Sequence, residues 1–402
     1  MSGAICEPTS PASASGRSPG PPTILYVATT RHFGGLEIAS IRLADLLMRS
    51  RSQSQRIVFA CRPGQQVEAE CMRLGVPTAP LTVHNSGDLG GVAKLIEIVR
   101  VHGVQIIHVH SRRDYVTAVL AKASLRRRLG ARRAPKLLLH MHLLRALGSP
   151  ALISGYFFAP NVDRFIAVSE AVRRHLLNVH GQLAPEQVVV VPNSVDVERF
   201  KMDRSAGAAV RQRLGFPPDA TVVGMVGRLD TKGQNEAIEA IAALHRQDTY
   251  LMLVGTTARN QYIERLQKNA AKLGVANRIV FCGARDDVPS YLAAMDIFAH
   301  LPVDEAFGLA PAEAMACGLP VLVSNVGGCT ELVEDGRTGL MTSPKDVEQI
   351  ASRMRELADS EPLRQRLAEA GSKFIRERYT PENQAGTLTT LYSELITLDA
   401  RA

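Results

Sequence analysis

The sequence predicts an α/β protein built from two similar parallel-sheet halves. Three observations predict it. Runs rich in β-branched residues alternate with helical stretches; the alternation stops at a polar interval near residue 200 and then restarts; and 46% of the 402 residues are apolar, enough to cover parallel sheets on both faces.

The elements follow in order. Residues 1–22, MSGAICEPTSPASASGRSPGPP, are Ser, Pro, Gly and Ala without an apolar core segment. They read as a disordered tail and not as a secretion signal. TILYVAT (23–29) is a buried strand, and LEIASIRLADLLMRS (36–50) follows with apolar residues at helical spacing. RIVFAC (56–61), VQIIHVH (104–110), KLLLHMH (136–142), RFIAVS (164–169) and QVVVVPN (187–193) are further strands with helices between them. Residues 196–220 read as a polar loop containing Pro217-Pro218. After it come the strands TVVGMVG (221–227), TYLMLVG (249–255), RIVFCG (278–283), IFAHL (297–301), PVLVS (320–324) and TGLMT (338–342).

Composition narrows the class. The formal charge is +8, compatible with an anionic substrate, membrane or nucleic acid. Aromatic residues are only 5% and Trp is absent, which weighs against base stacking and hence against nucleic acid. The six cysteines have no metal spacing and read as buried free thiols. The longest uncharged stretch, 146–162, is broken by Gly and Pro and is no membrane span. The segment SLRRRLGARRAPK (124–136) has five Arg and one Lys and no acid. It reads either as a solvated loop or as a patch for anionic lipid headgroups or a phosphorylated glycan.

The chemistry-bearing residues fall in turns after strands, where open parallel sheets bind ligands. In EAFGLAPAEAMACGLPVLVS (305–324), Pro311 and the Ala-rich run predict a helix of about eight residues that starts at Gly308-Leu309-Ala310 and stops at Gly318 and Pro320. Its free amide groups favour an anion. Glu313, placed in the first turn, either complements the helix dipole or accepts sugar hydroxyls, and Glu305 lies just before the Phe307-Gly308 turn. In GRLDTKGQ (227–234), Arg228 and Lys232 offer a planar fork and a point charge suited to a diphosphate. In RHFGGLE (31–37), Gly34-Gly35 allow close approach of backbone to ligand at a helix start.

HVH (108–110) and HMH (140–142) raise metal ligation, but neither has a Cys or carboxylate partner at zinc spacing. The reading is therefore no metal, with one histidine bonding a substrate hydroxyl. There is no Walker A motif, no GxGxxG and no Asp-x-Asp, so the available positive groups for a leaving diphosphate are Arg228, Lys232 and the helix N-terminus.

On these residues the chain resembles the retaining GT-B glycosyltransferases of family four, the group 1 type. The resemblance rests on GRLDTKGQ, RIVFCGARDDVPSYLAAMDIF, EAFGLAPAEAMACGLPVLVSNVGG and ELVEDGRTGLM over 221–342, and more loosely on FGG, IIHVHSRRD, FIAVSEAVRRHL and VVVPNSVDVERF. It implies an acceptor domain at 23–198, a nucleotide-sugar domain at 199–379, both Rossmann-like and facing a cleft, and a final helix at 380–402 crossing back to the first domain. It implies a hexosyl transfer from a UDP- or GDP-sugar to a cell-surface glycan or lipid-linked acceptor, without metal or other cofactor. The location implied is cytoplasmic, with peripheral contact to an anionic membrane. By the family's motif, Glu313 binds the ribose hydroxyls and Glu305 faces the donor sugar. Arg228 and Lys232 hold the diphosphate, with the amides of Phe307, Gly308 and Leu309 and with Gly34-Gly35 from the other domain. Arg285 lies at the base, and His142, or failing it His140, is the cleft histidine. A non-catalytic partner subunit and a nucleotide-sugar epimerase are the alternative readings. Two departures stand out: Ser194 replaces a common Gly, which implies an altered linker turn, and Asp304 adds a carboxylate beside Glu305.

Overall fold

The computed structural model describes residues 21–30, 34–49, 55–144, 157–257 and 260–401. Cys6 and most of the predicted tail lie outside these residues; the other five cysteines are buried free thiols. Two all-parallel sheets are present. The first has strands β1 (Thr23–Ala28), β2 (Arg56–Cys61), β3 (Thr78–Pro80), β4 (Ile106–Val109), β5 (Lys136–Met141), β6 (Arg164–Ala167) and β7 (Val188–Val190), in the order 3-2-1-4-5-6-7. The second has β8 (Thr221–Val226), β9 (Thr249–Val254), β10 (Ile279–Gly283), β11 (Ile297–His300), β12 (Val321–Ser324) and β13 (Leu340–Thr342), in the order 10-9-8-11-12-13. Each sheet reverses its winding once, between β1 and β4 and between β8 and β11. Crevices for ligands open at the carboxyl ends of such strand pairs.

Two local readings are corrected. The interval 196–220 contains the helix Arg204–Leu214. Asp203 caps it by accepting from the Ser205 and Ala206 amides, and only Gly207 and Val210 of the helix are buried. Its apolar face is too narrow to register as a period. Gly207 is there because a Cβ would lie 2.2 Å from the Ala293 carbonyl oxygen. The basic segment is also not a loop throughout: Arg126, Arg127 and Arg128 form the last turn of the helix Tyr115–Leu129, where cations suit the dipole. The short strand β3 was not predicted; three residues ending in a proline give no periodicity.

One face of the first sheet packs Ile24, Tyr26, Ile106, Leu138 and Ile166 against the helices Gly35–Arg49 and Pro381–Arg401, the latter contributing Leu388, Tyr392 and Leu395. The other face belongs to a larger apolar cluster that includes Leu25 and Ala118 and continues to Phe298, Phe307 and Met315 of the second half. The halves therefore share buried surface. Polar contacts join them too. Glu331 accepts from the Glu170 and Ala171 amides at 2.9 and 2.8 Å, capping the helix Glu170–Val179 with a carboxylate where the free amides point. Ser169 Oγ donates to the Ala306 carbonyl at 2.5 Å. Ser194 causes no strain at the linker: among the described residues the only positive φ values outside glycine are at His245 and Lys345, and the Ser194 hydroxyl bonds Gln384 at 2.8 Å.

The Tyr392 hydroxyl lies 2.9 Å from the Tyr26 hydroxyl and 2.6 Å from His108 Nδ1, all buried. Tyr392→Phe leaves both partners unsatisfied in an apolar layer. Its expected cost is about 1–3 kcal/mol, read as a lower urea midpoint with an unchanged m-value; an unchanged midpoint contradicts this packing.

Candidate functional site

The loop after β8 and the loop after β11 meet at the switch point of the second sheet. The first is held in shape by Gln234, which is 3% exposed. Its side-chain amide donates to the Arg228 carbonyl at 2.8 Å and accepts from the Lys232 amide at 3.1 Å. Gly233 turns the chain into the next helix at φ 79°, and a Cβ there would sit 2.2 Å from the Leu301 oxygen. The Leu301 amide in turn bonds the Lys232 carbonyl at 3.0 Å. Glycine alone allows this approach.

These constraints set Lys232 against Glu305. Lys232 Nζ donates to Glu305 Oε2 at 2.6 Å, and His300 Nε2 lies 2.8 Å from the same oxygen. Glu305 Oε1 accepts from the Ala306 amide at 3.1 Å. The Glu305 side chain is 13% exposed and that of Lys232 25%. Burial pushes the Glu305 carboxyl up, but the His300 hydrogen bond and charge, followed by Lys232, outweigh it and hold the acid at about 2. Burial lowers His300 despite Glu305, and against the carboxylate oxygen its Nε2 is the donor. From below, the Glu305 carbonyl accepts the Gly328 amide at 2.9 Å, and Gly327 packs so closely that a Cβ would stand 2.0 Å from that carbonyl oxygen. Neither His300, Gln234 nor Gly327-Gly328 was singled out from the sequence; their roles depend on contacts between separate loops.

The helix Leu309–Ala316 begins at Gly308, φ 97°. The Ala312 amide bonds the Gly308 carbonyl at 3.1 Å and Pro311 has no N–H, which leaves the Leu309 and Ala310 amides outside the helical ladder. Phe307 anchors this turn: its ring is 4% exposed and packs edge-on to Tyr379 at 5.5 Å. Glu313 lies in the second turn, not the first as expected, because the helix starts at Leu309. Its carboxyl has no hydrogen-bond partner among the described residues. Burial raises it to about 8, and Arg199 opposes the shift. Glu313 and Leu309 line a cavity of about 50 Å³ with Ile38, Arg42, Asp196 and Arg199, between the second half and the first helix.

Other predicted residues have contacts of their own. Arg228 forks onto Asp230 at 3.2 and 2.8 Å with its side chain 69% exposed. Arg285 is exposed, its guanidinium 5.4 Å from the Tyr291 ring centre, and Asp304 is exposed. The Gly34 amide donates to Glu37 Oε2 at 3.1 Å, and Gly35 opens the first helix. His142 is at the end of β5, half-buried, with its ring centre 4.1 Å from that of His140. Burial holds it down near 3. His108 and His110 lie beside them, a four-histidine cluster that spacing along the chain cannot reveal because it joins two strands.

The model for "Glycosyl transferases group 1" matches residues 208–374, and that for "Glycosyltransferase Family 4" matches 33–199. The chain is 32% identical over 244 residues to a D-inositol 3-phosphate glycosyltransferase of Streptomyces bingchenggensis, covering 58% of this chain and 53% of that protein. It is 28% identical over 320 residues to an N-acetyl-alpha-D-glucosaminyl L-malate synthase of Bacillus anthracis, covering 77% and 80%. The match thus spans about half the length of the first of these relatives. Among solved structures, Anabaena HepE in complex with UDP and glucose superposes with a TM-score of 0.80 at 24% identity over 92% of this chain and 99% of that one. A glycosyltransferase from Rickettsia africae superposes at 0.84 with 21% identity over 94% and 99%. These likenesses establish the GT-B fold.

Glu313 gives a pH signature. Its folded value of about 8 lies above the ordinary 4.5, so the folded state holds the proton more tightly. Its contribution is full below about pH 4.5 and is lost as pH rises towards 8. Glu313→Gln removes that dependence. The melting temperature of the variant relative to the parent is expected to rise between pH 4.5 and 8, and a flat difference refutes the burial of this carboxyl.

Proposed function

Because the chain belongs to the group 1 type of GT-B glycosyltransferases, its second half matched by the group 1 model and its first half by the Glycosyltransferase Family 4 model, we propose that it moves a hexose from a nucleotide-diphosphate sugar to a glycan or lipid-linked acceptor. Configuration is retained and no metal assists the departing diphosphate. The observation that carries this reading is the Lys232–Glu305 pair at 2.6 Å beside the free amides of Leu309 and Ala310. An ammonium has three donors. One is occupied by Glu305, and the others are available to phosphate oxygens. Glu305, ionised and held by His300, keeps lone-pair capacity for a sugar hydroxyl.

The proposed step breaks the anomeric C–O bond to phosphate and forms a C–O bond to the acceptor hydroxyl on the same face. The hydroxyl proton passes to the leaving phosphate oxygen. Negative charge grows on that phosphate, and fixed positive groups aimed at it lower the barrier. Arg228 joins them by exchanging Asp230 for phosphate. The Arg228 side chain is 69% exposed and free to swing, whereas Asp230 is 11% exposed, so the phosphate contact has to offset the loss of the cation from a largely buried carboxylate. Glu313, without a hydrogen-bond partner among the described residues, accepts the ribose hydroxyls in either protonation state that leaves a carboxyl oxygen unpaired. His142 bonds a donor or acceptor hydroxyl. The relatives named as inositol phosphate glycosyltransferase and as GDP-mannose-dependent phosphatidylinositol monomannoside mannosyltransferase support an acceptor bearing phosphate or lipid. No helix of the described residues is long and apolar enough to cross a membrane, so a lipid-linked acceptor is proposed to be met at the surface.

A thermal-shift screen of UDP-, GDP- and ADP-sugars tests the donor. Saturation at about 100 times Kd stabilises the fold by about 2.7 kcal/mol, and no shift with any nucleotide at millimolar concentration overturns the reading. With the responding donor, Lys232→Ala is expected to lower turnover about 10²–10³-fold while the protein stays folded; parental turnover in that variant removes Lys232 from the leaving-group site.

A further inference from the structure

We propose that His108, His110 and His140 bind a divalent transition-metal ion, with Zn²⁺ as the best-suited species, in the first half of the molecule. The proposal is independent of the donor reading.

In the parallel pair β4–β5, Ile106 to Val109 register with Lys136 to Leu139. Side chains alternate between faces, so residues 108, 110, 140 and 142 all point to the face on which Tyr26 lies. The imidazoles crowd together: 108 and 110 are stacked at 4.2 Å, 110 is tilted by 41° to 140 at 5.1 Å, and 140 and 142 are stacked at 4.1 Å between ring centres. His108, His110 and His140 are 0%, 6% and 1% exposed. One nitrogen from each lies within 4.8 Å of the others.

Four imidazoles in an apolar layer are costly unless something takes their lone pairs. Among the described residues, both nitrogens of His110, both of His142 and Nε2 of His140 are buried without a hydrogen-bond partner, and each such group costs about 1–3 kcal/mol. A cavity of about 10 Å³ touches His110, His140 and His142, together with Ser40, Asn193 and Gln384, and adjoins the cluster on the side away from His108, which does not line it. That is room for one small species. A single water makes at most about four hydrogen bonds and cannot gather three ring lone pairs at once, since it has only two protons to give. A cation can.

The second shell fits as well. His108 Nδ1 is tied to the Tyr392 hydroxyl at 2.6 Å, and that hydroxyl to Tyr26 at 2.9 Å, the kind of outer bond that fixes a ligand ring and its tautomer. Nε2 of His108 then faces His140 Nδ1 at 3.1 Å. Two nitrogens of a tetrahedral zinc site, each about 2.0 Å from the ion, stand about 3.3 Å apart. An ion there would replace that hydrogen bond, the proton shared by the two rings moving to Nε2 of His140, and His110, stacked at 29° on His108, would have to turn its ring to give the third bond. The neutral imidazole is the form that ligates. Neutral nitrogen donors select Zn²⁺, Ni²⁺ or Co²⁺ over Mg²⁺ and Ca²⁺. His142, stacked on His140, would be held in place by the ion at the mouth of β5.

The test uses the full chain without a polyhistidine tag, stripped with chelator and reloaded with Zn²⁺ or Co²⁺. The expected result is one ion per chain by elemental analysis, and for Co²⁺ the intense visible band of tetrahedral coordination. His110→Gln and His140→Gln, checked for native circular dichroism, are expected to weaken Zn²⁺ binding by at least about 100-fold, and Tyr392→Phe by about 10-fold. A folded parent that takes up no stoichiometric ion, leaving a bridging water as the occupant, overturns the proposal; so does undiminished binding in both glutamine variants. Nucleotide thermal shifts on the same samples separate the two readings, since a protein that binds nucleotide and no ion defeats only this one.

Discussion

The second half of the molecule is organised around one carboxylate held largely out of water. Glu305 shares an oxygen between the Lys232 ammonium and the His300 imidazole. Removing such a charge from solvent costs several kcal/mol unless its geometry and hydrogen bonds compensate. Every neighbouring feature contributes to that geometry. Gln234 shapes the Lys232 loop, Gly233 lets it lie against Leu301, and Gly327 lets the chain pass beneath Glu305. The result is a pre-formed charge pair at the sheet's switch point, next to the start of a helix. Positive groups in such a place do not have to reorganise when an anion arrives.

The same loop is also where the two halves join. Ala306, next to Glu305, receives the Ser169 hydroxyl, and Glu331 caps the helix Glu170–Val179. The Val195 amide bonds the Tyr379 carbonyl, and the final helix returns Tyr392 to the first sheet. A shift of one half against the other must break bonds made by residues adjacent to Glu305. Glu313 has the opposite character: no group of the described residues hydrogen-bonds its carboxyl, and it faces the boundary cavity with Arg42 and Arg199.

Much of the fold was legible because parallel strands buried on both faces are written as short continuous apolar runs. Such runs mark twelve of the strands without help from context. β3 escaped because three residues carry no period, and Arg204–Leu214 because a helix that buries a glycine and one valine has no apolar stripe. In the site, Lys232 and Glu305 were visible as charges in turns that follow strands. Their partner His300 was not, since it sits at the end of a strand and looks like a core residue. Arg228 was visible as a cation, but its engagement with Asp230 was not.

By itself the sequence determined the two-fold α/β alternation, the short helix with its glycine start and Gly-Pro stop, and the charged types present at the strand ends, because propensity and period act over a few residues. Tertiary structure alone decided which of those charges meet. Glu305 and Lys232 are 73 positions apart, and His108 and His140 are 32 apart on neighbouring strands. Their contacts depend on sheet order and register, and these are set by packing of the whole domain and not by any local stretch.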